Sequence, residues 1–197
     1  MSFRISLRAL GPAMVVAWQE VFQDAPQVDI QVGSILDFTA DAIVSPSNSF
    51  GYMDGGIDLA YRGFFGPEIE DRLRGYLKTH HHGELPVGQA VVLETQHAAI
   101  PYLISAPTMR VPSGIDETAN VYLGFRAALL AAVAHNERAC RPIRSLLSPA
   151  FGTGIGGMDF RRAARQMHAA YRAVALNERQ WLKDARSVLQ HHHELLK

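Results

Sequence analysis

"ADAIVSPSNSFGYMDGGID" (40–58) begins apolar and turns abruptly polar. Its first five residues, 40–44, read as a buried strand. Small polar residues follow (Ser45, Ser47, Asn48, Ser49), and then Gly55, Gly56 and Asp58. Polar, glycine-bearing chain just past a strand end is where open α/β sheets bind their ligands. The same composition also serves simply to turn a chain. Which reading holds depends on whether the flanking sequence supplies a layered sheet and a second loop of this kind.

Outward from the quoted stretch, strands alternate with helices. "FRISLRAL" (3–10) alternates apolar and polar residues, while "VDIQVG" (28–33), "GQAVVLET" (88–95), "YLISAPT" (102–108) and "IRSLLSPAF" (143–151) read as further strands. "PAMVVAWQEVF" (12–22) opens with Pro12, suited to a first helical turn. "GIDLAYRGFF" (56–65) starts a helix at the quoted loop. "PEIEDRLRGYLKT" (67–79) places Ile69, Leu73, Tyr76 and Leu77 on one face. "ETANVYLGFRAALLAAVAHN" (117–136) is long and Ala-rich. "DFRRAARQMHAAYRAVA" (159–175) has Asp159 as its N-cap and a stripe of Phe160, Ala163, Ala164, Met167, Tyr171 and Val174. "ERQWLKDARSVLQHHHELLK" (178–197) reads as one amphipathic helix with its seam along Trp181, Leu182, Ala185, Val188, Leu189, Leu195 and Leu196. The alternation predicts an α/β sandwich, with one domain over residues 1–197.

The second loop is "FGTGIGG" (151–157), with G-x-G-x-x-G at Gly152, Gly154 and Gly157. It follows a strand and opens a helix, so its backbone N–H groups can approach a phosphate. Taken alone it reads as a dinucleotide fingerprint. A nicotinamide oxidoreductase would need a further strand downstream with an acidic residue for the ribose. The remaining chain is helical in pattern, and Glu178 falls in a polar helix start. The loop chemistry survives; the dinucleotide topology does not.

Composition narrows the setting. The 197 residues are 48% hydrophobic and 19% charged, as in a soluble globular protein, and 19 basic residues balance 19 acidic ones. Zero net charge gives no indication of nucleic acid as a partner, although a local basic patch is compatible with it. The lone Cys140 permits no internal disulfide and no multi-cysteine zinc site, which favours a reducing, cytoplasmic location. No signal-peptide pattern and no membrane-length apolar run is present, so no membrane association is expected. Oligomeric state is not legible.

Four blocks together resemble the macro domain, the ADP-ribose-binding family, over roughly residues 28–175. "VGSILDFTADAIVSPSN" is similar to the family's Val-Gly-Asp-Ile, then a strand ending in Asn-Ala-Ala-Asn. "GGID" resembles Gly-Gly-Val-Asp, "LPVGQAVV" (85–92) a segment before a central strand, and "SPAFGTGIGG" (148–157) the second ligand loop. The ten-residue step from Asn48 to Asp58 resembles the MacroD-type ADP-ribosyl hydrolases. The resemblance implies a three-layer α/β/α sandwich with a mixed central sheet. Residues 178–197 would be an additional C-terminal helix.

The resemblance also implies roles. Asn48 would contact the distal ribose, and Asp58 would hold or deprotonate a water beside the anomeric carbon. Gly55, Gly56 and Ile57 would meet the phosphate at a helix start. Pro149, Phe151, Gly152, Thr153, Gly154, Ile155 and Gly156 would form the opposing clamp, with Ser34 and Ile35 near the adenine. Read from the residues alone, Asn48 equally suits an Asx turn and Asp58 a first-turn carboxylate that stabilises a helix. The implied function is binding of ADP-ribose, a derivative or an ADP-ribosylated macromolecule. Hydrolysis of mono-ADP-ribosyl esters or O-acetyl-ADP-ribose is the associated activity; no cofactor and no metal are expected. A non-catalytic reader and an interaction module with a degenerate pocket are the alternatives.

Departures from the family pattern are specific. Ser34 replaces the aspartate that accepts from the adenine amino group, Ser45 the first asparagine, Met53-Asp54 part of a glycine run, and Gly156 the aromatic that covers the distal ribose. Phe50, Tyr52 and Phe151 are the candidates to replace that ring. Arg110 either meets a phosphate or faces solvent. The histidine triplets 80–82 and 191–193 splay by about 100° per residue on a helix, which disfavours one shared ion; only His192 is expected near the apolar seam. Trp18 and Trp181 read as core or interface.

Overall fold

The computed structural model describes residues 3–197 and arranges six strands in one sheet. They are β1 (Arg4–Ala9), β2 (Val28–Val32), β3 (Ala42–Ser45), β4 (Val91–Glu94), β5 (Tyr102–Ser105) and β6 (Ser145–Ser148). Their order is β2-β1-β6-β3-β5-β4. All pairings are parallel except β4 with β5, so the sheet is mixed. The helices are α1 (Pro12–Val21), α2 (Gly56–Phe65), α3 (Glu68–His80), α4 (Asn120–Asn136), α5 (Phe160–Ala175) and α6 (Ala185–Leu195).

The period of two along each strand builds the layers. Ala42 and Val44 of β3 join Tyr102 and Ile104 of β5, Leu146 of β6 and Ile5 and Leu7 of β1 in a core covered by α1, α4 and α5. The intervening Ile43, Leu103 and Leu147 point the other way, onto Tyr61 of α2 and Ile69 of α3. Both sheet faces are therefore buried, which explains why the central strands read as short apolar runs. Trp18 is fully buried, as expected of a core residue, and its Nε1 donates to Met167 Sδ at 3.4 Å, tying α1 to α5.

The C-terminal segment differs from the single helix expected. A 3-10 turn at Gln180–Lys183 precedes α6, and Asp184 between them is extended (φ −159°, ψ 170°). Asp184 breaks the helix because its carboxylate accepts from Ser187 N at 2.7 Å, making it an N-cap. The break also divides the seam, and α6 reaches the core only at its end. Leu182, Val188 and Leu189 are exposed, and of the seven seam residues only Leu195 is buried. His191, not His192, meets the aromatic cluster, stacking on Trp181 at 4.6 Å and edge-on to Tyr122 at 5.3 Å. In the first triplet, His80 stacks on Tyr76 at 4.2 Å. Among the described residues no helix is long and apolar enough to cross a membrane.

Candidate ligand-binding cleft

The chain passes from β1 outward to β2, then returns to β3 on the far side of β6. Such a reversal opens a crevice at the carboxyl ends of the strands. A cleft of about 460 Å³ lies there, lined by the loops that follow β1, β2, β3, β5 and β6. No strand follows β6 among the described residues, which removes the dinucleotide-binding topology.

The loop after β3 feeds directly into α2. Gly55 is the N-cap (φ −153°, ψ 163°) and offers no side-chain acceptor, so the first N–H groups of α2 are left open. Across the cleft, the loop after β6 folds on itself: Gly157 N donates to Gly154 O (3.0 Å) and Met158 N to Gly152 O (3.0 Å). Among the described residues, the five successive N–H groups of 152–156 have no acceptor within the chain. The two loops come together at Ile155, whose Cδ1 lies 3.8 Å from where a Cβ on Gly55 would stand. Uncapped helix starts and runs of free N–H groups are anion sites. The only cationic side chain in the lining, Arg8, is buried, bonded to the Asp29 carboxylate and placed 4.2 Å over the Phe38 ring. An anion here would rely on backbone.

Asp58 sits in the first turn of α2 and is 6% exposed. The fully buried Ser45 Oγ donates to its Oδ1. Burial pushes the carboxyl up to about 7; the Ser45 hydrogen bond opposes this, and the negative charges of Asp54 and Glu70 add to it. Tyr61, one turn further on, donates to Val44 O at 3.1 Å and does not serve Asp58. The carboxyl is thus anchored through one oxygen in a cleft wall, with a proton affinity matched to neutral pH.

Most of the residues expected at the site line this cleft: Ser34 and Ile35 after β2; Asn48, Gly55, Gly56, Ile57 and Asp58 after β3; Pro149, Gly152, Thr153, Gly154, Ile155 and Gly156 after β6. Phe151 is a correction. It is fully buried, edge-on to Phe125 at 5.4 Å, and does not reach the cleft. The chain leaves the strand after Ser148, and Phe151 turns into the core on the side of the sheet covered by α4. Of the other two rings, Tyr52 lines the cleft with Arg74 stacked on it at 4.3 Å, and Phe50 does not. Asn48 is used by its own loop: Oδ1 accepts from Phe50 N (3.1 Å) and Tyr52 N (3.3 Å), and Nδ2 donates to Tyr52 O (2.7 Å). One Nδ2 hydrogen remains free. Ser34 Oγ caps a 3-10 turn by accepting from Leu36 N at 3.3 Å. Arg110 is absent from the cleft lining and is held by Glu84 at 2.7 and 3.0 Å.

Sequence reasoning missed Leu10, Gly11 and Met14 after β1, and assigned Phe160 to the core stripe. Phe160 is 41% exposed and rims the cleft. A signal was available for Gly11-Pro12, a glycine and a helix-opening proline directly after a strand. Nothing marked Ser45 as the partner of Asp58.

A family model for the macro domain matches residues 44–167. The chain belongs to the macro domain family. An Aquifex aeolicus protein described only as uncharacterized is 35% identical over 142 residues, covering 71% of this chain and 79% of that one. In fold, this macro domain is similar to the macrodomain of Mycobacterium tuberculosis DarG (TM-score 0.59, 24% identity, 71% of this chain and 86% of that one). It is also similar to a point mutant of the Oceanobacillus iheyensis macrodomain solved with ADPR (TM-score 0.59, 20% identity, 71% and 73%).

Proposed function

We propose that this macro domain binds ADP-ribose in the cleft and hydrolyses mono-ADP-ribosyl esters, in the manner of the MacroD type. The observation that carries the reading is the meeting of two unsatisfied donor sets, the N–H groups of 152–156 and the open start of α2, beside one buried carboxyl. A diphosphate bridges two such sets and needs no side-chain cation. The adenine end then lies toward Ser34, where the hydroxyl keeps one lone pair for the base amino group, and the Phe160 rim supplies a ring face. The distal ribose lies toward Asn48 and Asp58.

Asp58 is the general base in this reading. Ser45 fixes Oδ1 and leaves Oδ2 to accept a proton from water. The water oxygen bonds to the anomeric carbon as the ester C–O bond breaks, and the electron pair leaves on the acyl carboxylate. The products are ADP-ribose and a free acid. A carboxyl titrating near 7 is suited to this step at neutral pH. Asn48 contributes its one free Nδ2 hydrogen to a sugar hydroxyl.

A reader without turnover is the second reading, favoured by one observation: both lone pairs of Asn48 Oδ1 are already taken by backbone. The deciding experiment is release of ADP-ribose from an aspartyl- or glutamyl-linked peptide. The wild-type protein is expected to release it, and Asp58→Asn to lose about 10²–10⁴-fold in rate while still binding ADP-ribose. Binding without release by the wild type would leave the reader; neither binding nor release would leave an interaction module.

A further inference from the structure

Gln166 is a polar residue in the apolar stripe of α5, and it is completely buried. Its Oε1 accepts from Tyr122 N at 3.0 Å; its Nε2 donates to Thr118 O at 2.7 Å and to Leu195 O at 2.8 Å. Tyr122 N is one of the first N–H groups of α4, whose N-cap Ala119 supplies no side-chain acceptor. One carboxamide therefore caps α4, holds the segment before it, and grips the last turn of α6.

That segment reaches the cleft. Thr118 donates to Ile115 O through both N (3.1 Å) and Oγ1 (2.7 Å). Ile115 N donates to Gly156 O at 2.8 Å. The Ile115 side chain fills the space beside two loop glycines: a Cβ on Gly156 would stand 2.8 Å from it, and one on Gly152 3.0 Å. With five of its own N–H groups unused, the loop draws much of its shape from this outside wall.

We propose that α6, which lies beyond the residues matched by the family model, braces the second glycine loop, and that Gln166 is the positioning residue through which it does so. When α6 lets go, Gln166 Nε2 loses an acceptor in a buried site, where an unmade hydrogen bond is costly, and the carboxamide re-pairs at the expense of Thr118. The wall then loosens, and the N–H groups of 152–156 lose their common aim. Coupling of this kind requires one element that both ends bias, and Thr118–Ile115 is that element. The brace stands on geometry within the chain and extends the ADP-ribose reading without depending on it.

The test is amide hydrogen exchange on the full-length protein, without ligand, at Ile115, Gly157 and Met158, the donors that hold the loop. Two variants break the brace at different points. Gln166→Leu removes the carboxamide, and Val188→Pro breaks α6 through a side chain that is itself exposed, so the core loses only what α6 contributes at Leu195. In Val188→Pro the three amides are expected to exchange about tenfold faster or more, while those of β3 and β5 keep wild-type rates. Gln166→Leu is expected to do the same wherever it folds. The proposal is overturned if Val188→Pro strips protection from α6 and leaves the three amides unchanged, or if it speeds β3 and β5 equally. Failure of ADP-ribose to bind would change none of these outcomes.

Discussion

Two helices begin at this cleft after two glycine loops, and they begin differently. At α5, Asp159 accepts from Arg161 N (3.0 Å) and Arg162 N (3.1 Å), so the helix start is satisfied from within. At α2, Gly55 offers nothing, and the carboxylate of the first turn, Asp58, turns inward to Ser45. A residue such as Ser or Asp at the Gly55 position would stabilise the free protein. The open start of α2 thus forgoes stability that a bound anion can supply, whereas α5 keeps its own. In the proposed reading, the start of α2 is adapted to a ligand and the start of α5 to the fold itself.

The largest expected effect lies at Asp58. Its proton is held up to about pH 7 in the folded chain, against the ordinary 3.8 when unfolded. Between these values the folded state binds one proton more, so stability falls as pH rises through this window and the full penalty is present above pH 7. In Asp58→Asn that pH dependence disappears. The stability difference between variant and wild type should shift in the variant's favour by on the order of 4 kcal/mol between pH 4 and pH 8, read from urea unfolding. A constant difference across that range would show that Asp58 ionises normally.

Next in size is a contrast between the loops. Gly152 has φ +71°, and a Cβ there would stand 2.6 Å from Val121 Cγ2. Gly152→Ala should cost about 3 kcal/mol in the same unfolding measurement. Gly55→Ala, at an extended backbone where the added Cβ would meet only Ile155 Cδ1 at 3.8 Å, an ordinary contact, should be near neutral. Equal costs would erase the distinction between a glycine needed for packing and one that leaves a helix start open.

The smallest effect reverses sign between two assays. Gly55→Asp would cap α2, raising stability by about 0.5–1 kcal/mol, while its carboxylate repels a diphosphate and weakens ADP-ribose binding. Asp159→Ala should lower stability by about 1 kcal/mol. A Gly55→Asp protein that is both more stable and an undiminished binder would mean that the start of α2 does not hold the ligand.

The layers were legible because strand residues such as Ile43 and Val44 are short, apolar and consecutive, which only a sheet buried on both faces explains. The glycine loops were legible because backbone chemistry leaves its mark as missing side chains. The rest depended on pairings that one-dimensional patterns do not contain. Ser45 and Asp58 are thirteen residues apart and meet because the last residue of β3 and the first turn of α2 share one sheet face. Asn48 equally suited an Asx turn, and Phe50 N does donate to its Oδ1; the further pairing of its carboxamide with Tyr52 left no mark in the sequence. Phe151 and Phe160 exchanged their expected places: the ring inside the glycine loop is core, and the ring at the head of the apolar stripe rims the cleft. The seam of residues 178–197 failed because Asp184 splits the expected helix and only the end of α6, at Leu195, packs against the core.

The most direct measurement is a calorimetric titration of the wild-type protein with ADP-ribose, and with AMP under the same conditions. Two facing donor sets predict that ADP-ribose, which presents a diphosphate and a second ribose, binds one-to-one and more tightly than AMP. No binding heat at millimolar ADP-ribose, or equal affinity for AMP, would contradict a cleft built to hold ADP-ribose between two loops.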